Sequence, residues 1–354
     1  MPRKCAYSAF PLGYYRPAKV TPPGLERWEF PPPGVSMKLS VIVPCYNGAD
    51  TIATQLEALA KQCWSEPWEV IVSDNGSTDD SLAIVERYRS KLPHLRIVDA
   101  SARRGQPYAM NVGAQAATGD AIAFCDADDE MALGWVAALG EALSRHDFVA
   151  SRFEFTKLNE PWALEARSCG HGTCGQENGL QKMGYPPYLP FAGGCGLGVK
   201  KSIHEAVGGY DESLPYLHDV DYCFKIQLMG VELSFVPDAV IHIRCRHTFK
   251  GVFHQARRWA EYNVTVYKKY KDVSTMKVSQ PWHRYISGWK SFLLIFVKWV
   301  VVLSLTPLYF TNQTGVLQHL PKFRSKGDIG VMTWRLGWLI GQLQGSVKNR
   351  VHPV

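Results

Sequence analysis

Three carboxylates stand together at Asp126, Asp128 and Asp129, directly after the apolar run Ala121 to Cys125. Carboxylates so close repel one another unless a cation sits among them. Oxygen donors of this hard type suit Mg2+ or Mn2+, which complete their shell with substrate phosphates and water. The chemistry indicated is charge neutralisation at a departing diphosphate. A lone D-x-D is equally an acidic turn capping a helix, here over Glu130 to Leu143, so its surroundings decide. A second acidic pair, Asp219 and Asp221, lies in Leu217-His218-Asp219-Val220-Asp221-Tyr222, and Asp221 reads as capping or packing its own helix. The nine cysteines form no pair of C-x-x-C knuckles. Cys169, His171 and Cys174 sit in a Gly-rich stretch that reads as a loop, and no metal is assigned there.

The elements that must position these residues follow from pattern. Leu39 to Pro44 is a short β-branched strand, and beyond the turn Tyr46 to Asp50 an amphipathic helix runs to about Cys63. Glu69 to Ser73 is a second strand, ended by Asp74-Asn75-Gly76-Ser77-Thr78-Asp79 before a helix through Tyr88. Arg96 to Val98 is a third strand, Pro107 to Ala117 a helix, and Asp120 to Cys125 a fourth strand. Strands alternating with helices predict an α/β fold with a mostly parallel central sheet and helices on both faces. Ligands in such sheets sit beyond the carboxyl ends of the strands, where Tyr46, Asn47, Asp74, Asn75 and the Asp126 cluster fall. Neither a G-x-G-x-x-G after the first strand nor a G-x-x-x-x-G-K-[ST] occurs, which argues against a dinucleotide oxidoreductase or a P-loop enzyme.

The runs P-C-Y-N-G, S-D-N-G-S-T-D-D, R-G-Q-P-Y-A-M-N-V-G and F-C-D-A-D-D, in that order and spacing, resemble family 2 glycosyltransferases of the GT-A fold over roughly residues 38 to 270. The resemblance is to bacterial members with a basic, membrane-associating C-terminal extension. It implies inverting transfer of a sugar from a nucleoside-diphosphate sugar, a UDP-sugar before others, to a glycan or lipid-linked hydroxyl. It implies donor binding by Pro44, Tyr46, Asn47, Asp74, Asn75 and Asp126. In the third run the family often has Ala-Arg-Asn where this chain has Ala109, Met110 and Asn111, so Arg104 or Arg103 is expected to replace the arginine beside Asn111. By the same resemblance Asp126, Asp128 and His242 hold Mg2+ or Mn2+, Phe191 to Val199 faces the acceptor, and Asp219 is the general base. His218 stands where glutamate is usual. The alternative is a catalytically degenerate, membrane-associated scaffold, motivated by Met110 and His218.

The expected organisation is an irregular Pro-rich arm over 1–37, a catalytic domain over 38–245 divided into a nucleotide-binding half, 38–130, and an acceptor half, 131–245, and a helical extension over 246–354. The arm lacks the apolar core of a secretory signal, and Met37 resembles a natural start. A cytoplasmic protein at the inner face of the cell membrane is expected. From His242 onward, 18 basic residues oppose 3 acidic ones, whereas the preceding part carries 21 against 29. Such a segment seeks an anionic partner, and its aromatic and aliphatic content favours a membrane surface over nucleic acid. Residues 251 to 271 read as a basic amphipathic helix. Phe292 to Phe310, interrupted by Lys298 and Pro307, reads as an in-plane segment flanked by Trp289, Trp299 and Tyr309.

Overall fold

The computed structural model describes residues 37–92, 94–171, 176–273 and 326–351, together with 286, 288–290 and 293. Residues 1–36, Cys174, Trp299, Tyr309 and most of 292–310 lie outside these, as do the side chains of Cys169 and His171, so the readings placed there rest on sequence alone.

The described chain opens with β1 (Leu39–Cys45), α1 (Ile52–Ala60), β2 (Trp68–Asp74), α2 (Ser81–Arg87), β3 (Leu95–Asp99), α3 (Gln106–Ala116) and β4 (Ala121–Phe124). Next come β5 (Glu130–Met131), α4 (Trp135–Arg145), β6 (Phe148–Glu154), α5 (Pro161–His171), β7 (Gln181–Lys182), β8 (Pro190–Phe191) and β9 (Leu197–Lys200). The chain closes with α6 (Lys201–Ala206), α7 (His218–Leu228), β10 (Leu233–His242), α8 (Phe249–Tyr270) and α9 (Lys326–Asn349).

The main sheet has the order β3-β2-β1-β4-β9-β6-β10-β5. β1 pairs in parallel with β2 and β4, β2 with β3, and β6 with β10, whereas β9 and β5 run antiparallel to their neighbours. Successive side chains of a strand point to opposite faces. Val41, Val43, Val70 and Val72 therefore enter one core with Leu56 and Trp135, while Ile42 and Ile71 enter the other with Met110 and Phe148. A sheet covered on both faces explains why these strands read as continuous apolar runs rather than as an alternation.

Two local expectations need correction. The helix expected from Glu130 begins only at Trp135, because Glu130 and Met131 pair with His242 and Ile241 of β10 and bury Met131. Gly134, at φ +85°, then turns the chain into α4. The first helix also stops at Ala60, short of Cys63.

The C-terminal helices pack closely on the rest. Val266 and Tyr270 of α8 share a core cluster with Val220 and Phe224 of α7 and with Tyr185. α9 presents Gly337, Gly341 and Gly345 to α8, so close that a Cβ at these positions would run into the carbonyls of Phe253, Arg257 and Glu261. Trp334 meets Trp259 edge-on, 5.7 Å between ring centres. Among the described residues no helix is long and apolar enough to cross a membrane.

Candidate active site

The loops after β1 and β2 are built on each other. The backbone N–H of Asn47 donates to Ser77 Oγ at 3.0 Å, and Asn47 Oδ1 accepts from Thr78 N–H at 2.8 Å. Asp74 accepts from the N–H groups of Gly76 and Ser77, forming an Asx turn at the strand end. Asn75 donates to the carbonyls of Ala100 and Arg103 and accepts from Gly105 N–H, which fastens the segment entering α3. Arg104 donates to the carbonyl of Asn75 at 2.8 Å and lies over the Tyr46 ring, 4.2 Å from its centre. Pro44 is buried, whereas Tyr46 is 52% exposed and offers a flat face at the mouth of the crevice. Asn111 commits its amide elsewhere, donating to the Tyr210 carbonyl and Glu212 and accepting from Tyr210 N–H. Met110 is core.

Beyond β4 the chain places Asp126, Asp129 and Cys195 with one ligand atom each inside 4.8 Å. Burial pushes the Asp126 carboxyl up to about 7, helped by repulsion from Asp128 and Asp219. Burial likewise raises Asp129 well above the usual carboxylate range, with repulsion from Asp128 and Asp126 adding to it. Gln106 donates to Asp126 at 2.7 Å. The segment after β10 seals this loop: Arg244 donates its N–H to Asp129 at 2.8 Å and its Nε to the Asp128 carbonyl at 2.8 Å. Arg246 Nη1 lies 3.6 Å from Asp128 Oδ2.

The residues expected as metal ligands thus divide. Asp126 belongs to the cluster with Asp129 and Cys195, Asp128 is paired to Arg246, and His242 is turned away. Its Nδ1 lies 2.7 Å from Glu154 Oε2, and it lines a separate cleft with Glu130 and Lys157. Strand alternation is the reason: Ile241 packs toward Gly196 beneath the cluster, so the next side chain points to the other face.

Asp219 enters from the opposite side, in the first turn of α7. Its Oδ2 accepts from Gly194 N–H at 3.0 Å and its Oδ1 from Val220 N–H at 2.9 Å. The run of glycines serves close packing here. At Gly196, with φ +103°, a Cβ would strike Ile241 and Ser151, and this fit lets the turn before β9 bring Cys195 to the carboxylates. Asp219 adds to the field that raises Asp126, and Cys195 feels Asp126, Asp129, Asp219 and Asp128 together. Sequence reading singled out Asp126 and Asp219, but overlooked Gln106, Cys195, Arg244 and Arg246. Arg244 and Arg246 were counted only as general basic charge, although their position after an apolar strand end was a usable signal.

An open α/β sheet whose strand ends converge on an acidic crevice, in this strand order, is the GT-A fold of nucleotide-sugar glycosyltransferases. The family described as Glycosyl transferase family 2 matches residues 40–208, a little under half of the chain, and that segment is similar to its members. The uncharacterized glycosyltransferase YibD of Escherichia coli (strain K12) is 44% identical over 94 residues, 27% of this chain and 27% of that protein. Glycosyltransferase AglE of Haloferax volcanii is 27% identical over 205 residues, 57% of this chain and 65% of that one. Among solved structures, mannosyltransferase PcManGT from Pyrobaculum calidifontis in complex with GDP-Man and Mn2+ shares the fold. Its TM-score is 0.54 at 22% identity, covering 92% of this chain and 90% of that one. The chain therefore spans about a quarter of YibD and under two thirds of AglE.

Proposed function

We propose that this protein transfers a sugar from a nucleoside-diphosphate sugar, a UDP-sugar before others, to the hydroxyl of a glycan or lipid-linked acceptor, with inversion and with a divalent cation. The observation that carries this is the meeting of Asp219 with the Asp126, Asp129 and Cys195 cluster in one crevice beyond the parallel strand ends. The donor set fits a cation, because half-buried Asp126 and buried Asp129 both have raised proton affinity, and among the described residues neither forms an ion pair with a basic side chain. Asp126 and Asp129 would hold Mg2+ or Mn2+, with Asp128 and the Cys195 thiol beside them. A bound cation supplies neutralisation of the diphosphate as it departs. The complex of PcManGT with Mn2+ and GDP-Man is a precedent for that pairing in the fold.

The residues of the chain account for the remaining steps. Tyr46, stiffened by Arg104 behind it, offers a stacking face for the base, and Asp74 and Asn47 border the ribose side. Asp219 takes the proton of the acceptor hydroxyl as its oxygen bonds to the anomeric carbon and the bond from that carbon to the diphosphate breaks. One base and direct displacement invert the configuration. The two N–H groups on Asp219 aim its carboxylate.

The extension is read as resting on anionic lipid at the inner face of the cell membrane. Its excess of basic residues and the exposed Ile329, Leu343 and Val347 of α9 support that reading. Nucleoside diphosphate release from a panel of sugar nucleotides, with Mn2+, Mg2+ or chelator, tests the activity. One donor turned over, with loss on chelation and in Asp126→Ala, supports it, whereas no donor bound by the wild type returns the protein to a scaffold role. Salt-sensitive co-sedimentation with vesicles containing phosphatidylglycerol tests the surface.

A further inference from the structure

We infer that Lys269 and Tyr270, at the end of α8, hold the first turn of α7 through Asp221 and so position Asp219. This rests on Asp219 being the base proposed above. Asp219 and Asp221 are two residues apart on one helix, so they face nearly opposite sides. Asp219 faces Gly194 and the crevice, and Asp221 faces α8.

Asp221 is fully buried. Its Oδ1 accepts from the Tyr270 hydroxyl at 2.8 Å and lies 2.7 Å from Lys269 Nζ, while its Oδ2 has no hydrogen-bond partner. Lys269 also lies 2.9 Å from Asp211 Oδ2, in the loop that leads to α7. Among the described residues it is the one cation in contact with Asp221. The Tyr270 ring is seated edge-on against Phe224, 5.2 Å between centres, which fixes its hydroxyl.

The turn is packed on α8 through Val220, and its polar ties are few. No side chain caps the helix at Leu217, and Leu217 itself sits at φ +56°, a conformation that a branched residue keeps only when its surroundings impose it. Asp219 ties the turn to the glycine run through Gly194 N–H and accepts from its neighbour Val220 with its other oxygen. The buried charged anchor of the turn on α8 is Asp221. The C-terminal extension is thereby part of the catalytic apparatus as well as a candidate membrane contact.

Removing the Lys269 charge leaves a buried carboxylate uncompensated at the turn that carries the base. Lys269→Met is expected to lower the kcat of acceptor-dependent diphosphate release about tenfold or more, with the donor KM unchanged within about twofold. Lys269→Arg restores most of kcat, because a guanidinium reaches both Asp221 and Asp211. The double variant Asp221→Asn with Lys269→Met also recovers most of it, because no charge is left alone. Amide exchange at 218–222 accelerates in Lys269→Met while β1 and β2 stay protected. Equal losses in the single and double variants, or kcat and exchange both unchanged in Lys269→Met, overturn the inference. If Lys269→Met does not fold, Tyr270→Phe and the double variant decide by the same two readouts. A wild type that turns over no sugar nucleotide defeats the proposed activity, and exchange at 218–222 then still decides whether Lys269 holds that turn.

Discussion

Two acidic stations face one crevice, and the protein treats them in opposite ways. At Asp219 and Asp221 every charge is answered from within: backbone N–H groups hold Asp219, and Lys269 with Tyr270 holds Asp221. At half-buried Asp126 and buried Asp129 the carboxylates stand against each other, and Arg246 forms its ion pair with Asp128. Burying like charges without a counter-ion costs stability that a fold supplies only where something else is to arrive. The first station is complete in the protein alone, and the second fits the cation and diphosphate of the proposed reaction.

The largest effect that sharpens this contrast is expected at Asp219. Asp219→Asn should lower transfer about 10³-fold while leaving donor affinity within about twofold, as a general base requires. Diphosphate release and donor titration by calorimetry read the two quantities, and a matching loss of donor affinity would break the distinction between the stations.

The internally paired station depends on α8 being braced from behind. Gly341→Val puts a side chain into the Arg257 carbonyl and should lower stability by about 1–3 kcal/mol in chemical denaturation. A neutral result would show that α9 does not support α8 as packed.

Asp126 supplies a pH signature opposite to that of an ordinary paired carboxylate. Its proton affinity is raised to about 7 on folding from an ordinary value of 3.8, so the native state holds a proton that the unfolded chain has lost between those pH values. Metal-free stability should therefore fall as pH rises from about 4 to 7. Mn2+ should raise Tm more at pH 7.5 than at pH 5. Asp129→Asn should raise metal-free Tm at pH 7.5 by a few degrees, on the order of 1 kcal/mol, and abolish the Mn2+ shift. Thermal melts across pH test all three, and metal-free stability rising with pH would show that the cluster is not short of positive charge.

The smallest effect lies at the rim. Arg104→Ala removes the guanidinium from Tyr46 and should raise donor KM a few-fold, about 0.5–1 kcal/mol, with kcat unchanged. A fall in kcat instead would move Arg104 from base stacking to the diphosphate.

Much of this was legible in the residue order. Apolar runs of strand length, broken by Asn, Asp and Gly and alternating with helical patterns, fixed the α/β class and the crevice, because both signals are local in the chain. Asp74, Asp126 and Asp219 stood out for the same reason, each being acidic where an apolar run or a turn ends. Pairings between distant segments were not legible. Ile241 packs in the core against Gly196 while His242 pairs with Glu154, Cys195 joins Asp126 and Asp129, Met131 extends a sheet instead of a helix, and Lys269 neutralises a carboxylate on another helix. Sequence determines which side chains a segment can offer and how often they recur along it. Strand register and helix docking decide which of them meet, since those depend on packing across the whole core.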